Sequence, residues 1–330
     1  MTDKELNLKK AMAELEKKYK RPVVVRGGME EIKRLSTKLS TLDNLFGGGL
    51  PRTRWTMIYG DSSVGKTTFC YYIVNLQQKE KKDSKVLIID AEHSWEPDYA
   101  SEFGMDPDNY YYNRPDTLEE AMSIIRKLAP FMDLIIVDSI TSVASESEIE
   151  REMEQDTMAL TARRLSQFFR VTTPTIGKSN AVVILVNQLR TAGLGGLFTY
   201  DTFPGGHALK HNCSMIVQMM RGSKDDRPKE KIDGKMVEVG FGMKFKVQKT
   251  KVSKTEGQET ILNYYTQAPH FSPYDDAFKT GVLKGVITRG GAWYEYDEIK
   301  TQGGDAFLQE LKENDKVFKK LQKELSKCEN

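Results

Sequence analysis

The sequence predicts an α/β fold: a mainly parallel, twisted sheet covered by helices on both faces. Three observations predict it. Short apolar runs at 55–59, 86–90, 134–138 and 181–186 have the length of buried strands and lack polar alternation. Helix-like sequence separates them, which is the rhythm of strand–helix–strand crossovers. The first run leads directly into Gly60-Asp61-Ser62-Ser63-Val64-Gly65-Lys66-Thr67, which fits G-x-x-x-x-G-K-[ST] at every fixed position.

Taken in order, residues 1–33 form a separate N-terminal segment. It opens with a strongly charged amphipathic helix over 6–19, with Leu6, Ala13, Leu15 and Tyr19 among its apolar positions, and Lys20-Arg21-Pro22 ends it. Val23-Val24-Val25 is a short β-branched run before Gly27-Gly28. A lone strand of this kind needs the edge of another sheet, either in its own chain or on a neighbouring subunit.

The core is expected over 34–268. A turn with Gly47, Gly48 and Gly49 precedes the 55–59 strand, and a helix over 68–78 follows the loop with its N-terminus toward an anion. The next strands end in Asp90 before Ala91-Glu92-His93, in Asp138, and in Asn187-Gln188. Ligand chemistry belongs at such strand ends. Two segments resist regular assignment: the acidic stretch 148–157, before a helical pattern resuming at Met158, and the glycine-rich stretch 191–204. The second interleaves Leu194, Leu197, Phe198, Tyr200 and Phe203, and long loops carrying apolar side chains usually bind something. Strands are expected again at 215–220 and 243–251, the latter alternating with Lys244, Lys246, Lys249 and Lys251. Residues 269–330 read as a small α+β domain: a helix, a hairpin around Gly290-Gly291, and a charged helix.

Composition narrows the class. The chain has 330 residues, 39% hydrophobic and 29% charged, as in a globular protein, and its net charge of +2 supplies no global field for nucleic acid. Any nucleic-acid contact would have to come from local patches. Cys70, Cys213 and Cys328 show no metal spacing and read as buried or idle thiols; His93, His207, His211 and His270 form no ligand cluster. There is no signal peptide and no apolar run that spans a bilayer, so a cytoplasmic location is expected.

The loop carries the chemistry. Its glycines let successive N–H groups turn inward onto phosphates, Lys66 reaches the β- and γ-phosphates, and the Thr67 hydroxyl can ligate Mg²⁺. ATP contacts are therefore placed at Gly60, Asp61, Ser62, Ser63, Val64, Gly65, Lys66, Thr67 and Thr68. Asp138, ending an apolar strand, is the Walker-B arrangement, holding Mg²⁺ together with Thr67 or through a water. Glu92, one strand over, can orient the water that attacks the γ-phosphate; a structural ion pair is the competing role. Gln188 is placed to sense the γ-phosphate and pass its presence to the loop beginning at Thr191. Tyr99 is a candidate to stack on adenine, a core aromatic being the other reading.

With these residues in place, the chain resembles bacterial RecA-type recombinases. The likeness runs over nearly its whole length through "IYGDSSVGKTT", "IIDAEH", "NRPDT", "IIVDSITS", "LVNQLR", "GGHALK" and "GAWY". It implies a RecA-like core, ATP and Mg²⁺ at subunit interfaces, a helical filament on single-stranded DNA, pairing with double-stranded DNA, and strand exchange coupled to DNA-stimulated ATP hydrolysis. Loading or single-strand-binding accessory proteins are conceivable partners; a membrane is not. Residues 1–33 would dock on the adjacent protomer, and loops at about 150–158 and 191–206 would bind DNA. By position, Glu92 resembles the catalytic glutamate and Gln188 the γ-phosphate sensor. Lys249 and Lys251 resemble a lysine pair supplied in trans. Glu96 and Tyr265 join the ATP contacts. Arg163, Ser166, Arg170, Arg190, Gly205, Gly206 and His207 fall where the family touches the primary DNA strand, and Arg221, Lys244 and Lys246 match a second DNA site; Leu194, Leu197 or Phe198 are the DNA-binding candidates to wedge between base steps, with Met158 of the first loop next. The chain departs from the family in the acidic Glu152, Glu154 and Asp156, in Gly193 and Gly195, and in His211 at an aromatic position.

Two other readings share this core. A hexameric helicase-like motor would normally lack the N-terminal segment and the "GAWY" appendage. A signalling ATPase would have no use for "GGHALK" or for the apolar glycine-rich loop.

Overall fold

The computed structural model describes residues 2–20, 24, 31–139, 141–143, 158–194, 198–202, 206–232 and 234–327. The chain divides into two compact units, Met1–Ile32 and Lys33–Asn330. In the first, α1 (Asp3–Tyr19) begins where the Thr2 N–H donates to Glu5 at 2.9 Å and ends at Lys20 in the left-handed region, φ 53°. None of its residues is buried, and Leu8, Leu15 and Tyr19 are exposed along it. The expected strand at 23–25 falls outside the described residues except for Val24, which is exposed.

The second unit runs β1 (Arg34–Leu35), α2 (Ser40–Phe46), β2 (Leu50–Pro51), β3 (Arg54–Gly60), α3 (Lys66–Glu80), β4 (Val86–Asp90), α4 (Pro97–Glu102), β5 (Tyr111–Asn113), α5 (Leu118–Leu128) and β6 (Leu134–Asp138). It continues with α6 (Met158–Ile176), β7 (Val182–Gln188), β8 (Arg190–Leu194), β9 (Phe198–Thr202), α7 (Gly206–Asn212), β10 (Met215–Arg221), β11 (Lys229–Ile232), β12 (Lys235–Glu238), β13 (Gly240–Thr250) and β14 (Glu259–Tyr265). The last elements are α8 (Pro273–Leu283), β15 (Thr288–Gly290), β16 (Trp293–Tyr296), β17 (Ile299–Gln302), α9 (Gly304–Glu313) and α10 (Asp315–Lys327).

An eight-stranded sheet in the order β14-β13-β10-β3-β7-β6-β4-β5 is the frame. Every pair from β10 to β5 is parallel; β13 and β14 extend it antiparallel. The strands are apolar on both faces because both faces are covered. Ile58, Ile88, Ile136 and Ile184 point into a core closed by α2, α3 and α4. Met57, Ile89, Val137 and Leu185 point the other way, under α5, α6 and α7. The expected α/β class and mainly parallel sheet are what the chain forms.

The segment 191–204 differs from expectation. It carries a ladder, β8 against β9, that pairs Arg190 with Thr202 and Leu194 with Phe198. β-Branched and aromatic residues around Gly195-Gly196 favour a hairpin over irregular loop. The acidic stretch 148–157 lies outside the described residues, and α6 starts at Met158.

At the C-terminal end, β15-β16-β17 and helices α8 to α10 enclose a separate core around Phe307, Leu311 and Leu321. It is tied to the frame by α8. Leu39 precedes α2 without a side chain to cap it, and Asp276 does so instead, accepting from Ser40 N–H at 2.7 Å and Thr41 N–H at 2.9 Å. Among the described residues no helix is long and apolar enough to cross a membrane.

Candidate nucleotide-binding site

The site starts where β3, flanked by β7 and β10, runs out at Gly60. A side chain there would collide with the Met219 carbonyl at 2.1 Å, so the neighbouring strand demands glycine. Gly65 turns at φ 92°, in the left-handed region, and hands the chain to α3. Between them the loop curls over the N-terminus of α3, where unpaired N–H groups and the helix dipole attract an anion.

Lys66 is held inside this curl. Its ammonium donates to the carbonyls of Gly60 at 3.0 Å and Asp61 at 2.7 Å. Burial lowers its pKa, opposed by the charges of Asp138, Glu92 and Asp61. Thr67 donates its hydroxyl to Asp138 Oδ2 at 2.7 Å. Burial pushes the Asp138 carboxyl up to about 6; the Thr67 hydrogen bond pulls it down, and Glu92 and Asp90 add to the rise. Two hard oxygens at this spacing, one on a nearly dry carboxylate, fit a magnesium ion.

Glu92 is positioned by its neighbours. The N–H groups of Ala91 and Glu92 both donate to the Asp138 carbonyl, at 2.7 and 3.0 Å. Asp90, fully buried, folds the turn that follows by accepting from the N–H groups of Ser94 and Trp95 and from the Tyr112 hydroxyl. Gln188 sits across from Gly60 in the β3–β7 register, and its amide donates to Glu92 Oε1. Asp138, Glu92 and Gln188 thus converge on the loop from three strand ends, lining one cavity of about 420 Å³ with Lys66 and Thr67. Such a constellation can hold a nucleoside triphosphate and place a water against its terminal phosphate.

Tyr99 lines the same cavity, and its hydroxyl lies 2.8 Å from that of Tyr264. Tyr265 does not line it: its hydroxyl donates to Asp275 at 2.6 Å. Successive residues of β14 face opposite ways, so Tyr264 takes the place expected for Tyr265. Glu96 is exposed at the start of α4, outside the lining, with its N–H on the Tyr71 hydroxyl. Arg221, expected at a second DNA strand, instead lines the nucleotide cavity with Phe241. Lys244 is paired with Glu259 at 2.6 Å.

Lys249 and Lys251 stand outside the cavity of their own chain. Lys249 donates to the carbonyls of Lys210 and, at 3.0 Å, Cys213, while Lys251 donates to that of His211 at 2.9 Å. Both ammonium groups therefore cap the C-terminal end of α7. Burial and the neighbouring Lys251 charge lower the Lys249 pKa.

Of the expected DNA contacts, Arg163, Ser166 and Arg170 are exposed and share one face of α6, three and four residues apart. His207 is exposed in the first turn of α7, its ring stacked 5.9 Å from that of His211. Met158 begins α6, Arg190 and Leu194 bound β8, Phe198 begins β9 and Gly206 begins α7; none of their side chains is described. Leu197 and Gly205 lie outside the described residues. Asp90, Phe241 and Tyr264 escaped the sequence reading, and Arg221 was expected on DNA rather than at this cavity. Asp90 alone left a signal, since it ends an apolar strand just as Asp138 does.

A family model described as the RecA N-terminal domain matches residues 6–267. Among curated relatives, Protein RecA of Rickettsia bellii (strain RML369-C) is 33% identical over 97% of this chain and 92% of its own. Protein RecA of Clostridium acetobutylicum is 34% identical over 93% of this chain and 85% of its own. For Protein RecA of Rickettsia prowazekii (strain Madrid E) the figures are 33%, 97% and 93%.

Proposed function

The chain belongs to the RecA family, and we propose that it is an ATP-dependent recombinase that assembles as a helical filament on single-stranded DNA and exchanges strands with a duplex. One observation carries this reading: the strand that ends in Gln188, whose amide donates to Glu92, continues within two residues into the β8–β9 hairpin. The side chain expected to sense the γ-phosphate and the segment expected on DNA are one continuous piece of backbone.

In this reading the loop N–H groups and Lys66 bind the triphosphate, and Glu92 orients a water on its far side. The water oxygen attacks the γ-phosphorus, the bond to the β–γ bridging oxygen breaks, ADP leaves with the negative charge, and the water's protons stay with the released phosphate. Thr67 and Asp138 would hold magnesium, which would supply charge neutralisation to the phosphates. Gln188 shares its amide between Glu92 and the γ-phosphate, so hydrolysis releases the hairpin from one of its anchors. Lys249 and Lys251 leave the α7 carbonyls to reach the ATP of an adjoining protomer, where two cations offset the charge that develops in the transition state. Arg163 and Arg170 supply phosphate contacts, and the hairpin supplies apolar groups that separate base steps.

The edge of the large sheet is the receptor proposed for assembly. β5 is an edge of the large sheet, with Tyr111 and Tyr112 exposed beside its unpaired backbone. The 23–25 segment of another copy would extend the sheet there. Electron microscopy with single-stranded DNA and a slowly hydrolysed ATP analogue tests the reading. Helical filaments support it; closed rings would replace it with a hexameric motor, and bare DNA would remove the DNA role.

A further inference from the structure

Strand order sets an arginine over the phosphate loop. β10 runs parallel to β3 with Met219 beside Gly60, so Arg221, the last residue of β10, lies beyond the point where β3 turns into the loop. Its guanidinium is fixed there from two sides. One nitrogen donates to the carbonyl of Ser63 at 2.8 Å; Ser63 is a loop residue in the left-handed region, φ 59°. The central carbon lies 3.5 Å from the centre of the Phe241 ring. Phe241 packs on Tyr264 at 4.8 Å, and Tyr264 meets Tyr99 through their hydroxyls. Arg221, Phe241, Tyr264 and Tyr99 all line the cavity that contains Lys66 and Thr67. Among the described residues no carboxylate pairs with Arg221.

We infer that Arg221 is a nucleotide-contacting residue of its own chain's site, a fixed cation for the polyphosphate, with Phe241 as the platform that holds its plane. This rests on the reading of the cavity as a nucleotide site and goes against the resemblance, which assigns Arg221 to a second DNA strand. Chemistry favours the phosphates. A guanidinium offers five donors in a rigid fork that matches phosphate oxygens, and the Ser63 carbonyl engages only one nitrogen. Stacking on an aromatic ring orients the fork without consuming its donors. The loop backbone and Lys66 approach the phosphates from below and Arg221 from the rim, so the triphosphate gains a cation before any neighbouring protomer adds its own.

Equilibrium titration of the full-length protein without DNA tests this, using a fluorescent ADP as probe and ATP and inorganic tripolyphosphate as competitors. Arg221→Gln should weaken both competitors about tenfold or more, the worth of one charge-assisted hydrogen bond. Phe241→Leu should move both in the same direction by less, and Arg221→Lys should recover part of the loss. The lysine and leucine variants keep the test open if the glutamine variant misfolds. Lys66→Ala is the control for the site: wild-type ATP binding in that variant would overturn the nucleotide reading itself, whatever Arg221 does. With Lys66→Ala defective, unchanged ATP and tripolyphosphate affinity in Arg221→Gln would overturn the inference. A simultaneous loss of duplex capture at saturating ATP would return Arg221 to the DNA. A loss for ATP but not for tripolyphosphate would also overturn it, by moving the contact to the base or ribose.

Discussion

Glu92 and Gln188 are 96 positions apart in sequence and in hydrogen-bond contact in space, because parallel strands deliver their last residues to one edge of the sheet. Replacing Glu92 with Gln keeps that contact but removes the charge that polarises water. Turnover should fall by about 10² to 10⁴, with ATP and DNA binding retained. A steady-state ATPase assay on single-stranded DNA checks this, and a rate within a factor of two of wild type would take Glu92 out of the chemistry. Lys66 and Thr67 were legible because the loop motif names them, and Asp138, Glu92 and Gln188 because each lies at or just beyond the end of an apolar strand. Tyr264 was not, since choosing it over Tyr265 needs the facing of β14, which two adjacent tyrosines do not reveal. Arg221 was expected on DNA instead, for a different reason. Its place over the loop depends on β10 being the neighbour of β3, and strand order is a long-range fact that no local pattern carries.

At the scale of elements, α6 and the β8–β9 hairpin make separable predictions. Neutralising Arg163 on the exposed face of α6 should weaken binding to every single-stranded sequence and lower the log–log salt slope by roughly 0.7. Replacing Leu197 and Phe198 with Ala should leave that slope unchanged, because no counterion is released at an apolar contact, and should slow strand exchange. Salt titrations of DNA affinity beside an exchange assay distinguish these effects; wild-type exchange in the double variant would put the wedge elsewhere. The junction of α8 and α2 concerns stability instead. Asp276→Ala deprives α2 of its cap and should cost about 1–2 kcal/mol in urea unfolding. Burial raises the Asp276 pKa in the fold. Between the ordinary carboxylate value and the raised one, the folded chain holds a proton that the unfolded chain has lost. Stability therefore falls as pH rises through that window, and the wild-type advantage over Asp276→Ala should shrink with it. An advantage that grew with pH would mean the charged cap outweighs desolvation. Helices and strands of the core were readable from apolar periodicity, whereas this tie is one carboxylate reaching across 236 positions.

At the scale of the whole molecule, the division at residue 32 and the exposed leucines of α1 leave the N-terminal unit with apolar surface of its own to cover. The lysines of β13 pose the matching question for catalysis. A Lys249→Ala/Lys251→Ala protein should bind nucleotide but hydrolyse it poorly, whereas Lys66→Ala should hydrolyse poorly because it binds little nucleotide. Mixing the two should restore activity at interfaces where an intact loop meets intact lysines. ATPase measured across mixing ratios checks this, and a flat response in mixed filaments seen by microscopy would place the lysines' work in their own chain. The open edge at β5 has a further consequence. If each copy offered residues 1–33 to the β5 edge of the next, the two partners in every contact would be different surfaces. A joint between unlike surfaces leaves the growing end as hungry as it was before each addition. Where the rotation from copy to copy does not close into a ring, such a polymer carries no inherent count of its members, so its extent would be dictated by the length of DNA beneath it and the supply of free protein.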